Sequence, residues 1–410
     1  MNTTGERFAY LVMVDPICNN NKYYRMMLKN GSLICEYGRV GQTGTQKVYP
    51  ASKFDSLYRQ KTGKGYQDMT SLVSTPTVNS KGDLEYKEID DDLVRELVER
   101  LQAYAHQVLE RNYEVSYKKV TPKMVNEAQK FIQKLSTIAE DETEHPSYRV
   151  DKFNEVLLKL FTSIPRKMAH VSAHLASKPV DFKKILEKEQ ALLDVMKGQV
   201  DIDVIEEKNT KKKESKNDCT ILEKLGLEIR ECTDKELAKI QKMYNGNHPI
   251  KRAFKATNKK TEEKYKKYVK EHPDTKPKLL WHGTRNENVW SILGTGLVLN
   301  PKAVITGKMF GHGIYFAPSA QKSLGYTSLH NSYWARGNSD TGFMLVFETA
   351  YGNPLVVNTN MGYGDLNTKN FEVRHPGHQV LHAKAGRVLR NDEIIFYRED
   401  QMTLRYIVEF

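Results

Sequence analysis

Cysteine is scarce in this chain of 410 residues: Cys18, Cys35, Cys219 and Cys232 are scattered, with no CxxC pair. That excludes a disulfide framework and a cysteine-rich zinc site, and it fits a reducing compartment. No apolar run approaches the ~18 residues of a membrane-spanning helix. The early FAYLVMV run meets Asp15-Pro16 with no basic stretch before it and no small-residue cleavage site, so it reads as a strand rather than a leader. The phosphate-cradling GxxxxGKS/T loop, the GxGxxG fingerprint, HExxH and the GxSxG elbow are all missing. Gly38, Gly41 and Gly44 are spaced by three but follow no strand-to-helix pattern. The His, Cys and acidic residues show no metal-ligand spacing, so no metal is expected.

What is present points to a globular protein of two or three domains, at roughly 100–200 residues each. Apolar residues make up 39% and aromatics 10%, which excludes full disorder. The net charge of +12 makes nucleic acid or another polyanion a plausible partner. Its distribution is more informative. Residues 1–85 carry +4, residues 86–206 carry −3 and residues 207–410 carry +11, so an acidic middle separates two basic ends.

The first third is β-rich, with FAYLVMV, KYYRMML and SLICEYGRVG broken by Asn and Gly clusters. A short helix from Lys53 stops at Lys61-Thr62-Gly63, and STPTVNSKGD (74–83) reads as a linker. The middle is helical. Leu93, Leu97, Leu101, Tyr104 and Val108 share a face behind a cap at Asp91 or Asp92. Thr121-Pro122 is a helix start, and two further amphipathic stretches run from Phe153 to Phe161 and from Phe182 to Met196. The run at 208–218 is charged and reads as an exposed linker. LLWHGT, HGIYFA, GFMLVFETAYG, NPLVVN, DEIIFYRE and LRYIVEF then alternate with turn signals. The expected fold class is multi-domain α+β: a β-rich domain (1–85), a helical bundle (86–206), a charged linker (207–218) and a mixed α/β domain (219–410).

Two motifs in the last domain carry chemistry. His282 and Gly283, at a strand end, set an imidazole beside exposed backbone amides, where an amide or a ribose can bind. Gly311-His312-Gly313-Ile314-Tyr315, followed by Ser323 and Tyr326, offers close backbone approach, two aromatic faces and a hydroxyl. Each alone is also consistent with an ordinary loop histidine or with core aromatics on a strand.

Together, LLWHGTRNEN, TGKMFGHGIYFAPSAQKSLGY and the closing Asp392-Glu393-Ile394-Ile395-Phe396-Tyr397 resemble the poly(ADP-ribose) polymerase family in order and spacing. The helices with LFTSIP (160–165) are similar to its regulatory helical domain. Tyr37-Gly38-Arg39 with YRQKTGKGY resembles its WGR domain. The resemblance implies an enzyme that cleaves NAD between nicotinamide and ribose and passes ADP-ribose to an acceptor, with NAD as substrate and no metal. It implies that His282 holds the riboses and that the Gly283 backbone and Ser323 hold the carboxamide. Tyr326 and Tyr315 would enclose the ring, and Thr284 and Asn288 would line the adenosine side. Glu393 is implied as the catalytic carboxylate, with Asp392 the alternative if the register shifts by one.

The resemblance further implies DNA strand breaks as partner, engaged by Tyr37, Gly38 and Arg39. Protein acceptors including the chain itself, a nuclear location, no membrane association and inhibition by the helical domain are also expected. Three departures stand out. Tyr37 replaces the tryptophan that names the WGR domain, with a smaller face for stacking. Pro318 stands where many members have an acidic residue. The stretch 358–390, where members carry the loop shaping the acceptor site, is short, so a transferase of single ADP-ribose units stands beside a polymerase. A non-catalytic DNA-end scaffold is the remaining alternative, disfavoured by the complete His282, Tyr315 and Glu393 set. The Lys211–Lys213 run has two readings, a nuclear import signal or a solvated loop.

Overall fold

The computed structural model describes residues 7–70, 86–210, 219–300, 303 and 309–410. The 74–83 linker, the Lys211–Lys213 run and residues 306–308 of the second motif lie outside them. The chain divides into two compact units: residues 1–83 with 107–200, and residues 84–106 with 201–301 and 307–410.

The first unit begins with β1 (Arg7–Asp15), β2 (Asn20–Lys29), β3 (Ser32–Arg39) and β4 (Thr45–Pro50), then α1 (Phe54–Thr62) and β5 (Gln67–Asp68). They form an antiparallel sheet in the order β4-β3-β2-β1-β5. The β2–β3 turn is Asn30-Gly31, both at positive φ, the backbone that a two-residue hairpin requires. One face of the sheet buries Leu11, Met26, Leu33 and Cys35 with Phe54 of α1.

Four long helices follow: α2 (Asp92–Asn112), α3 (Pro122–Glu140), α4 (Pro146–Ser163) and α5 (Asp181–Thr210). Asp91 caps α2 by accepting from the N–H groups of Leu93 and Val94, and Thr121 caps α3 by accepting from Met124. Helix α5 runs through 207–210, so the expected linker begins later than its charge suggests. Leu157 and Phe161 of α4 are buried, and Phe153 stacks on Phe182 at 4.1 Å. Two polar pairs are sealed in this unit: Gln129 with Gln190, and Arg166 with Glu189 at 2.7 Å.

The second unit continues with α6 (Ile221–Leu225), β6 (Leu227–Glu231), α7 (Asp234–Met243), β7 (Arg252–Asn258), α8 (Lys259–Glu271), β8 (Lys276–Gly283) and α9 (Asn286–Thr295). Next come β9 (Ile314–Phe316), α10 (Ala320–Leu324), β10 (Phe343–Tyr351), β11 (Pro354–Val357), α11 (Phe371–Arg374), β12 (Val380–Ala383), β13 (Glu393–Phe396) and β14 (Met402–Glu409). One sheet runs β6-β7-β14-β10-β8 and the other β11-β12-β13-β9. Among the strands of the described residues, β11 and β12 are the pair that runs parallel. Strands β6, β7 and β12 escape the sequence reading because they are short and interrupted by charge or histidine. An antiparallel bridge between Trp281 and Ala317 joins the end of β8 to the segment after β9, so the two sheets meet at the paired motifs. The core includes Val94, Leu97, Val98 and Leu101 of α2, together with Phe254, Phe343, Leu345 and Phe396.

Candidate active site

His282 and Gly283 end β8, an edge strand paired only to β10 within its sheet. Trp281 exchanges both backbone hydrogen bonds with Ala317, at 3.0 Å each, on the side away from β10. Strand parity turns the N–H and C=O of Gly283 to that same side. A Cβ at Gly283 would lie 1.8 Å from the Ser323 carbonyl oxygen, so only glycine fits where α10 crosses the strand end. The His282 Nδ1 donates to the Tyr315 carbonyl at 3.0 Å. A carbonyl only accepts, so Nδ1 carries hydrogen and, in the neutral ring, Nε2 is the acceptor. Phe316 and Phe347 pack edge-on against the imidazole.

The second motif closes the other side. Gly311 sits at φ +72°, where a Cβ would strike the Leu366 carbonyl. The Tyr315 hydroxyl donates to the Gly311 carbonyl and accepts from the Phe310 N–H, both at 3.0 Å, which fixes the ring under that turn. Ser323 is buried on α10 and donates to the Trp281 carbonyl at 3.2 Å. Tyr326 follows, with its backbone N–H on the Ser323 carbonyl. Burial, with an added push from the Glu393 charge, raises the Tyr326 phenol to about 12. Burial also raises Tyr315, and Glu393 adds to it there as well. Both tyrosines therefore stay neutral at physiological pH. Thr284 and Asn288 are joined by a 3.2 Å hydrogen bond at the start of α9.

Glu393 opens β13, whose Ile395 registers with Tyr315 on β9. Its Oε1 accepts from Lys322 Nζ at 2.5 Å, and both side chains are nearly sealed, at 12% and 11% exposure. Lys322 is the residue that sequence reasoning missed. Its one signal is adjacency to Ser323, which puts it on the short helix beneath the strand end. Asp392 does other work. Its carboxylate accepts from Ala385 N–H at 2.8 Å, Lys384 at 2.9 Å and His382 at 2.8 Å, and His382 in turn meets the Tyr351 hydroxyl at 2.7 Å. Burial raises the Asp392 carboxyl, but these donors outweigh it and hold it well below the carboxylate range. Asp392 thus pins the loop between β12 and β13, and its carboxylate is spent there.

In the first unit, Tyr37 stacks on Tyr24 at 5.5 Å, and Gly38 lies close against Gly44. Arg39 is half-buried and turned inward. It donates to the Asn19 carbonyl at 2.9 Å, the Asn19 side chain at 3.2 Å, the Met168 carbonyl at 3.2 Å and the Ala169 carbonyl. Four such bonds engage most of a guanidinium's five N–H groups. A separate groove of about 590 Å³ in the second unit, lined by Glu262, Glu348 and Arg405 among others, contains none of the site residues. Its charges pair with one another, Arg405 meeting Glu262 at 2.6 Å and Glu348 at 3.2 Å. Among the described residues no group of three or more His, Cys, Asp and Glu could hold a metal ion, and no helix is long and apolar enough to cross a membrane.

The family model of the poly(ADP-ribose) polymerase catalytic domain matches residues 228–410, and that of the WGR domain matches residues 7–72. A putative poly(ADP-ribose) polymerase-like protein, 100L, of Invertebrate iridescent virus 6 is 37% identical over 153 residues, 36% of this chain and 79% of that protein. An uncharacterized protein of the same virus, 101L, is 33% identical over 196 residues, 48% of this chain and 78% of its own length. A poly(ADP-ribose) polymerase of Sarcophaga peregrina is 24% identical over 390 residues, and the match spans 82% of this chain but only 36% of that enzyme. By these matches and relatives, this chain belongs to the poly(ADP-ribose) polymerase family, joins a WGR domain to the family's catalytic domain, and is an NAD ADP-ribosyltransferase.

Proposed function

We propose that the protein is a DNA-break-dependent polymerase of ADP-ribose, acting in the nucleus on protein acceptors that include itself. The Gly283 N–H and C=O grip the carboxamide of NAD, Ser323 turns its hydroxyl from the Trp281 carbonyl to donate to the carboxamide oxygen, and Tyr326 and Tyr315 enclose the ring. His282 holds the riboses, and Thr284 and Asn288 line the adenosine side. Bond cleavage sends the glycosidic electron pair to the departing nicotinamide and leaves an oxocarbenium-like ribose. Glu393 accepts from the ribose 2′-hydroxyl and stabilises that positive charge. It then polarises the incoming acceptor hydroxyl and takes up its proton as the new bond forms. Lys322 orients the carboxylate for both steps. The observation that carries this reading is the nearly sealed Glu393–Lys322 pair at the start of the strand that registers with Tyr315.

The DNA dependence rests on the WGR domain. A DNA end engages the Tyr37-Gly38-Arg39 strand. Arg39 links that strand to the 168–169 backbone of the helical segment, whose loosening would relieve inhibition, an order–disorder style of allostery. A second reading, transfer of single ADP-ribose units, is favoured by the short stretch 358–390.

The test is incubation of the purified protein with labelled NAD, with and without nicked or blunt duplex DNA, resolved on a denaturing gel. A DNA-dependent smear is expected. A single sharp shifted band assigns mono-transfer, and label that is independent of DNA removes the activation mechanism. Glu393→Gln should abolish polymer and lower NAD cleavage by about 100-fold or more; full polymer from that variant overturns the role of Glu393. Arg39→Ala should weaken DNA-end binding, and unchanged affinity removes that strand from the mechanism.

A further inference from the structure

A buried polar chain leads from the sheet of His282 to the residue before Glu393, and the reaction as described leaves it unused. It starts at Tyr351, the end of β10, which pairs in register with Lys276 of β8. Lys278, on the same strand as His282, sets its Nζ 4.3 Å from the centre of the Tyr351 ring. The Tyr351 hydroxyl lies 2.7 Å from Nδ1 of His382 on β12, and Nε2 of His382 lies 2.8 Å from Asp392. Against the pull of burial, the Ala385 N–H and Lys384 hold the Asp392 carboxyl ionised. An ionised carboxylate only accepts, so Nε2 of His382 carries the hydrogen. Burial, helped by the Lys384 and Lys278 charges, lowers the imidazole against the opposing pull of Asp392. The ring is therefore neutral at pH 7, and Nδ1 accepts from the Tyr351 hydroxyl. Strands β12 and β13 pair His382 with Ile394 and Ala383 with Glu393. Side-chain alternation puts His382 and Asp392 on one face and Glu393 on the other. The Ala383–Glu393 rung ends this ladder, and ladder ends fray. A hinge there would move Glu393 relative to His282 and Gly283 on the other sheet. His382 is 6% exposed among the buried Val380, Leu381 and Ala383. A buried imidazole costs desolvation that an apolar side chain would not. Both of its nitrogens are bonded, one toward the sheet of His282 and the other toward the neighbour of Glu393.

We infer that His382 is a positioning residue for this reaction: it ties the end of β10 to Asp392 and so fixes the last rung of the β12–β13 ladder, which sets Glu393 against the NAD cleft. The inference rests on the assignment of Glu393 as the catalytic carboxylate. Its action differs from that of Lys322, which bonds the carboxylate itself and fixes the side chain. His382 fixes the backbone from which that side chain springs. Misplacing a reacting group by ~1 Å costs up to about 100-fold in rate. The effect falls on kcat, because the groups assigned to NAD binding at Gly283, Ser323 and the tyrosines stay in place.

The experiment measures NAD consumption by the full-length protein with saturating nicked duplex DNA, separating kcat from KM. His382→Leu should lower kcat by about tenfold and leave KM for NAD within about twofold. His382→Gln, whose amide N–H can stand in for Nε2 toward Asp392, should recover most of the loss. In a Glu393→Ala background, His382→Leu should bring no further loss, because the group it positions is gone. Tyr351→Phe deletes one hydroxyl and keeps the ring, so it carries the test even if His382→Leu does not fold. It should lower kcat by about threefold with KM unchanged. An unchanged kcat in Tyr351→Phe overturns the inference and leaves the assignment of Glu393 standing. So does an equal loss in His382→Leu and His382→Gln that appears in KM, the mark of a purely structural role. A loss from His382→Leu that multiplies with that of Glu393→Ala does the same, because another group is then the one displaced. Full activity of Glu393→Ala overturns both the inference and the assignment on which it rests.

Discussion

Helix α2 serves two owners. Val94, Leu97, Val98 and Leu101, in its first part, lie in the core of the second unit beside Phe343 and Leu345. From residue 107 onward the chain belongs to the first unit, until residue 200. At the far end of α5, Ile202 returns to the second core. The amphipathic stripe is the same kind of stripe throughout, so the pattern tells that a face is buried and not against what. The ion pairs follow the same split. Arg100, Arg252 and Glu96 surround the buried Glu409 in the second unit, whereas Arg166 and Glu189 are sealed in the first. The lesson concerns where the helical segment can be cut. Residues 86–106 and 201–206 belong to the second compact unit.

The largest effect should come from cutting along two different lines. Removing 86–206 strips five core side chains and an ion partner from the second unit, and at about 2–5 kcal/mol for each large aliphatic the product should not fold. Removing 107–200 and bridging the ends with a Gly/Ser linker leaves that core intact. It should give soluble protein that consumes NAD without DNA if the helices inhibit. Equal solubility and activity of the two deletions would break the comparison.

Single ion-pair variants should sharpen it. Arg166→Met leaves Glu189 charged at 3% exposure and should cost the first unit about 3–5 kcal/mol. Arg100→Ala should cost the second unit less, about 1–3 kcal/mol, because Arg252 still reaches Glu409 at 3.3 Å. Hydrogen exchange should report the first loss in residues 122–163 and the second in β14. Protection lost in the same segments for both variants would erase the distinction.

The smallest effect is one of pH. Burial, then the Lys188 and Arg166 charges, lowers the His174 imidazole to about 4 from 6.5. The unfolded chain therefore takes up this proton first as pH falls. Stability that is fully present above pH 6.5 is lost as pH drops through about 4, and after solvent screening it amounts to roughly 1–2 kcal/mol. The loss should appear in the first unit alone, and His174→Phe should flatten it. An equal slope in the mutant would assign the effect to other groups.

Much of the fold was legible because its signals are local. Asp91 and Thr121 cap their helices through N–H groups two or three residues away, and such bonds are read from a short window. The strands around His282, Tyr315 and Glu393 follow from apolar runs between turn residues, and the order of the motifs named the chemistry. Strands β6 and β7 were not legible, since LEIRE and RAFKATN carry too much charge for a buried-strand pattern and owe their pairing to β14 and to each other. Arg39 was expected at DNA phosphate, yet it is held by carbonyls more than a hundred residues away, which no spacing reveals.

Sequence alone therefore determined the three kinds of segment, the glycines that only a close approach explains, and the candidate residues His282, Gly283, Tyr315, Ser323, Tyr326 and Glu393. Tertiary structure decided the remainder. It braced Glu393 with Lys322 from 71 positions away, it occupied Asp392 with His382, Lys384 and Ala385, and it divided α2 between two cores. The physical reason is range. Propensity, capping and turn chemistry act over a few residues and are written in order along the chain. Ion pairs and packing act over a few ångströms, and which residues come that close is settled only when the strands have taken their places in the sheet.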